Sequence, residues 1–197
     1  MSEVLDRRRL IALGLVAGAG LALPQTGRAQ ALPSDERRLL TVLLETELVS
    51  VAAVERVLAS PYLHRRARAL ASRVLAAERV HASALERALR GLGVTARPAP
   101  PATAAAVDQA LAARHVHQRV SALHKEHDCL DLLLALESMA EGMYYAAMPL
   151  LSSPALQRLA AGLLASEAQH ESLLGLLRNP KDFNRAAPYA FVEGFAP

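Results

Sequence analysis

The sequence predicts an all-α protein, a four-helix bundle built from two antiparallel hairpins joined by one long crossover. Three observations predict it. No strand-like alternation of useful length occurs anywhere. Four long segments carry helical spacing of apolar residues, and two tight Ser-Pro junctions contrast with one long proline-rich connection. Apolar residues make up 52% of the 197, rich in Ala and Leu and without Trp, which suits helices packed through small and medium side chains.

The first helix is expected from Ser34 to Ala59, with Ser34 as N-cap and Asp35 and Glu36 favourable in the first turn. Ser60-Pro61 stops it and starts the second, Ser60 capping and Pro61 taking the first helical position. The second helix runs to about Arg90, where Gly91-Leu92-Gly93 supplies a stop. Pro98, Pro100 and Pro101 stiffen the connection from Val94 to Ala102. Helical patterning resumes at Thr103, and the third helix is expected to end near Leu151. Whether the stretch before Arg114 belongs to it stays open. Ser152-Ser153-Pro154 repeats the cap-and-proline device, and the fourth helix runs to about Arg178. Residues 32–178 thus form the bundle and 179–197 an irregular, aromatic tail expected to pack over it.

Residues 1–31 read as an export signal. Arg7-Arg8-Arg9 is a basic start, Ile11 to Leu23 an apolar run, and Ala29-Gln30-Ala31 a cleavage pattern. The run of about 13 residues falls short of the roughly 20 that span a bilayer, so no stable membrane span is expected after cleavage. The paired arginines followed by Leu10-Ile11 resemble a twin-arginine export signal, which implies a periplasmic or otherwise exported protein. An ordinary secretory signal or an uncleaved anchor is the plainer alternative. Of the chain's 22 basic and 19 acidic side chains, four and two lie in this segment, so 18 and 17 remain. The pI near 9.4 therefore belongs largely to the signal, and nucleic-acid binding loses its support. With Cys129 as the one cysteine, an intrachain disulfide is excluded and a Cys-based metal site disfavoured.

Two Glu-x-x-His motifs occur, Glu78 to His81 and Glu167 to His170, where the 13 Glu and 7 His would give roughly 0.5 by chance. One falls on the second helix and one on the fourth, at similar depth from each hairpin turn. Positions i and i+3 share a helix face, so each motif aims a carboxylate and an imidazole together, along stripes that are otherwise apolar. Charge on an apolar stripe is costly unless paired or bound to metal. The first and third helices offer Glu45 and Glu137. Glu45 precedes Ser60 by 15 residues and Glu78 follows it by 18, an offset of roughly 4.5 Å, whereas Glu47 is offset by five residues. Glu137 precedes Ser153 by 16 and Glu167 follows it by 14, against 12 for Glu141. The expected metal site is therefore Glu45, Glu78, His81, Glu137, Glu167 and His170. Four carboxylates balance two divalent ions, and the oxygen-rich set suits iron or manganese, with zinc possible. A metal-free polar network is the competing reading.

One Glu from each of two helices with Glu-x-x-His from the other two is the ligand pattern of dimetal carboxylate bundles. Over most of residues 36–178 the chain resembles the bacterial ferritin-like domain proteins that carry twin-arginine signals. The resemblance rests on Leu44-Glu45, Glu78 to His81, Leu136-Glu137 with Tyr144-Tyr145, and Ser153-Pro154 leading to Glu167 to His170. It implies the same six side chains as ligands of two metal ions and names no substrate. A dimetal oxidoreductase with redox or ferroxidase-like activity is one function it accommodates, and metal sequestration is a second. A metal-free helical envelope or stress-response protein on the same scaffold is a third. Oligomer formation stays open. His117, His124, His127, Asp128 and Asp131 lie at helical spacings and read as a solvated polar face before a second metal site. For Tyr144 or Tyr145, core packing is the plainer role beside a hydrogen bond to a metal ligand. Met139, Met143 and Met148 read as core filler.

Overall fold

A computed structural model describes residues 33–181. The expected export signal, its cleavage point and most of the aromatic tail lie outside the described residues. Five α-helices occur among the described residues: α1 Pro33–Ala59, α2 Arg65–Gly91, α3 Ala104–Ala112, α4 Glu126–Ala147 and α5 Pro154–Arg178. Short 3-10 turns occupy Val120–Ala122 and Met148–Leu150, and no strand occurs among these residues.

Helix α1 pairs with α2 and α4 with α5, and the two hairpins close on each other through α1 with α4 and α2 with α5. Contacts at the helix ends set the directions. Glu36, at the start of α1, accepts from Ser152 N–H at 2.6 Å and Ser153 N–H at 3.3 Å, beyond the end of α4. His64 N–H, just before α2, donates to Glu126 at the start of α4 at 2.6 Å. Thus α1 and α4 are antiparallel and α2 and α4 parallel, as one long crossover requires.

Each bundle helix buries a seam of alternating three- and four-residue steps. On α1 the seam is Glu36, Leu40, Leu43, Glu47, Ser50, Val54 and Val57, every one buried. On α2 it runs Ala67, Ala71, Val74, Glu78, His81, Leu85. On α4 it runs Leu130, Leu133, Glu137, Ala140, Tyr144 and Ala147, and on α5 Ala160, Leu163, Glu167, the half-buried His170 and Leu174. Such spacing keeps one face of each helix toward its neighbours along the whole bundle. Two apolar clusters result, one around Val54, Val74, Leu133 and Leu174, the other around Leu40, Leu43, Leu85 and Leu163. Glu47, Glu78, Glu137 and Glu167 form the layer between them.

The junctions differ from expectation in one respect. Ser60 and Pro61 do not open α2, which starts only at Arg65. Ser60 Oγ instead donates back to Val57 O at 2.7 Å, and Arg68 donates to Leu58 O at 2.5 Å and Ser60 O at 2.8 Å, satisfying carbonyls at the end of α1. At the second junction Pro154 opens α5 as expected, but the Ser153 side chain makes no capping hydrogen bond, and the Ser152 hydroxyl donates to Glu36 instead. The stretch before Arg114 forms its own helix, α3, capped by Thr103 Oγ1, which accepts from Ala106 N–H at 3.1 Å. Helix α4 begins at Glu126, so His117 and His124 precede it in irregular chain.

Helices α2 and α3 end in the same way. Val94 N–H donates to Leu89 O and Gly93 N–H to Arg90 O, while Val116 N–H donates to Leu111 O and His115 N–H to Ala112 O. Each is a Schellman closure whose turning residue adopts the left-handed region, Gly93 at φ 81° and His115 at φ 60°. Glycine takes that conformation without strain, whereas an L side chain pays roughly 1 kcal/mol. His115→Gly is therefore expected to raise stability by about 0.5–1 kcal/mol in urea unfolding at unchanged slope, and a loss of stability would contradict the closure described.

Candidate metal centre

The seams bring carboxylates and imidazoles from four helices to one level of the core. Glu47 from α1, Glu78 and His81 from α2, and Glu167 from α5 offer ligand atoms all within 4.8 Å of one another. Glu78, Glu137 from α4, Glu167 and His170 form a second such group. The two groups share Glu78 and Glu167. Of the six residues expected from sequence, Glu78, His81, Glu137, Glu167 and His170 are together here.

Glu45 is not. Its side chain is 45% exposed and lies 3.9 Å from Arg114, which follows α3. Glu47 takes the place expected for it, with a side chain 1% exposed. Distance along the axis does not separate the two, because α2 begins five residues after Ser60 and both glutamates then lie nearly level with Glu78. Rotation separates them: two residues turn a helix by about 200°, so Glu45 and Glu47 point to opposite sides. The usable signal was the four-three spacing from Leu40 through Leu43 and Glu47 to Ser50, which Glu45 breaks. Glu141 is also fully buried but belongs to neither group.

Both imidazoles present Nδ1 to the cluster. His81 Nδ1 lies 2.8 Å from Glu167 Oε1 and 3.8 Å from Glu47 Oε2, and His170 Nδ1 lies 3.2 Å from Glu137 Oε2 and 3.6 Å from Glu167 Oε2. The rings are 6.2 Å apart, centroid to centroid. The far nitrogen of His81, Nε2, lies 3.1 Å from Ser166 Oγ, a contact that holds the ring with Nδ1 inward. Tyr144 Oη donates to Glu47 Oε1 from a fully buried position, while Tyr145 is 58% exposed on the outside. Tyr144 thus joins a core role to a hydrogen bond on the cluster.

So many acids in a dry core cannot all ionise. Burial, then the neighbouring Glu47, Glu167 and Glu137, push Glu78 well above the usual carboxylate range. Burial and the Glu167 charge do the same to Glu137. Glu47 is raised to about 7 by burial and Glu167, against the opposing pull of Glu78, His81 and Tyr144. Glu167 goes the other way: burial would raise it, but hydrogen bonds from His170, His81 and Glu137 outweigh that and hold it at about 2. His81 loses affinity for its proton through burial but gains more from Glu167, for a net upward shift. In the resulting network Glu167 carries negative charge most readily, and its acidic neighbours hold their protons more tightly than usual.

The donor set fits divalent ions. Glu47 and Glu78 lie buried side by side and must share protons, a costly condition that a cation would relieve. Four carboxylates with two imidazoles make the hard, oxygen-rich surroundings favoured by iron and manganese.

The histidine-rich face resolves into helix-end contacts. Asp128 accepts from His124 N–H at 2.9 Å and Lys125 N–H at 3.1 Å, Asp131 pairs with Arg178 at 2.6 Å, and Glu126 with His64 at 2.5 Å. Among the described residues no metal-sized group forms there.

A family model described as a ferritin-like domain matches residues 28–180. The chain belongs to that family. Searches of curated proteins and of solved structures find no match.

Glu47→Gln should remove most of the rise in melting temperature that Mn(II) gives the wild-type chain, while Glu45→Gln should preserve it. At a 100-fold excess over the dissociation constant one site contributes about 2.7 kcal/mol. Equal loss in both variants, or loss in Glu45→Gln alone, would return Glu45 to the site.

Proposed function

We propose that this ferritin-like protein holds a dinuclear centre of iron or manganese in its core and is exported to work in the periplasm or beyond. Glu47, Glu78, His81 and Glu167 would hold one ion, and Glu78, Glu137, Glu167 and His170 the other. The observation that carries this reading is the sharing of Glu78 and Glu167 by two overlapping groups, because two adjacent cations need carboxylates between them.

The protons of the metal-free network mark where cations would act. Glu78, Glu137 and His81 would give up their protons to hold an ion at each group, so binding would release protons and tighten as pH rises. Ser166 keeps His81 turned inward with Nδ1 toward the cluster. Tyr144 holds Glu47 from behind through its hydroxyl. The apolar clusters above and below exclude water from both sides of the layer. Bound iron or manganese would supply one-electron redox chemistry, and a redox or ferroxidase-like activity is the function proposed. Zinc would fill the same ligands without that chemistry.

Protein purified after native export should contain about two metal ions per chain by elemental analysis, and anaerobic Fe(II)-loaded protein should consume dioxygen when exposed to air. Two metals without oxygen uptake would reassign the protein to metal sequestration. No metal, and no change in melting temperature with Mn(II) or Fe(II), would leave a metal-free helical envelope or stress-response protein.

Export has its own test. Arg7→Lys together with Arg8→Lys should leave the precursor in the cytoplasm if the signal is of the twin-arginine type. An undiminished periplasmic yield would assign the general secretory route.

A further inference from the structure

A cavity of about 530 Å³ opens on the outside of the α1–α2 hairpin, under the proline-rich connection. That volume lies in the range of small-molecule sites, roughly 300–1,000 Å³. Its floor is apolar, formed by Leu48 and Ala52 of α1 and Ala82 of α2, and Pro100 and Pro101 lie across it. Three guanidinium groups line it, those of Arg56, Arg79 and Arg97, with one carboxylate, Glu55.

The connection is tied down on both sides of this space. Arg56 Nη2 donates to Ala102 O at 2.5 Å, and Arg97 Nε donates to Glu86 at 2.7 Å. Arg79 pairs with Glu55 at 2.8 Å. Arg79 and Arg97 therefore each face a carboxylate, while the bond seen for Arg56 goes to a neutral carbonyl. Even counting Glu86, three cations meet two anions, so the site carries one uncompensated positive charge over an apolar floor. An arginine so placed favours a planar oxyanion, which its fork meets with two parallel N–H bonds. Water cannot satisfy both halves of such a cavity, but an amphipathic anion can.

We propose that this cavity binds a small monocarboxylate with an apolar body, the carboxylate on Arg56 and the body over Leu48, Ala52 and Ala82. The inference is independent of metal in the core, since none of these side chains belongs to the two acidic groups. It does place a ligand close to them, because Leu48 and Ala82 directly follow Glu47 and His81 in the chain.

The test titrates octanoate, and in parallel uncharged octanol, into ¹⁵N-labelled protein while amide shifts are recorded. Octanoate should give saturable one-to-one shifts at Val51, Ala52, Ser83 and Ala102, and octanol should bind at least about tenfold more weakly, the cost of about one charge-assisted hydrogen bond. Arg56→Gln should weaken octanoate by a similar factor. Because that change also frees Ala102, Ser83→Phe is the companion variant. It fills the cavity from an exposed position, leaves both ties intact, and should abolish the shifts at unchanged melting temperature. Equal affinity for octanoate and octanol would overturn the proposal. So would shifts centred on the exposed Tyr145, Leu173 and Leu176, or wild-type octanoate affinity in both variants.

Discussion

Everything in this bundle is arranged around a layer of carboxylates in a dry core. An isolated ionised carboxylate in such surroundings would destabilise the fold by several kcal/mol, and four together would be worse by mutual repulsion. Two solutions are open to the chain: protons or cations. The metal-free molecule uses protons, concentrating negative charge on Glu167 and placing it between two imidazoles and the acid of Glu137. That arrangement neutralises the layer and keeps its ligand atoms within reach of one another. Proton affinity raised at Glu47, Glu78 and Glu137 has a cost that depends on pH. These groups hold more protons folded than unfolded, so their contribution to stability is complete below the ordinary carboxylate range and fades as pH climbs, for Glu47 through about 7.

The rest of the fold supports that layer from both sides. Apolar clusters above and below give the helices their adhesion, so the acidic level need not be a source of stability itself. The ends are held by polar contacts between elements distant in sequence. Glu36 collects the Ser152 hydroxyl and two backbone N–H groups at the α4–α5 turn, and those bonds hold its carboxyl below the usual range although burial works against them. Glu126 receives His64 at the other end. Register between the hairpins is thereby set at both ends, which fixes how the four acidic seam positions meet.

Much of this was legible in the sequence. The hairpins and the crossover followed from punctuation, and both Glu-x-x-His motifs fell on the face that apolar spacing marked as inward. Counting from Ser153 did not separate Glu137 from Glu141, each two residues off level with Glu167; the spacing Leu133, Glu137, Ala140, Tyr144 is what puts Glu137 on the buried seam. The same counting failed for Glu45, because the chain between Ser60 and His64 is not helical and α2 starts later than its Ser-Pro signal implies. Glu45 also looked inward because Val42, Leu48, Val49 and Ala52 flank it; Val42 is itself exposed, which leaves Leu48, Val49 and Ala52. Those residues are buried too, on the broad inner side of α1, and a stripe that wide does not reveal which acid sits at its centre. Ser166 and the choice between Tyr144 and Tyr145 depend on rotation and on cross-helix distances that no local pattern encodes. The separation of α3 from α4 turns on one left-handed residue, His115, whose type gives little warning of it.

Anomalous diffraction from crystals grown with Mn(II) tests the central claim most directly. The account predicts two peaks about 3.5–4 Å apart, with Glu78 and Glu167 between them, Glu47 and His81 on one ion and Glu137 and His170 on the other. A single peak, a peak beside Glu45 and Arg114, or an acidic layer that stays metal-free at saturating Mn(II) would contradict it.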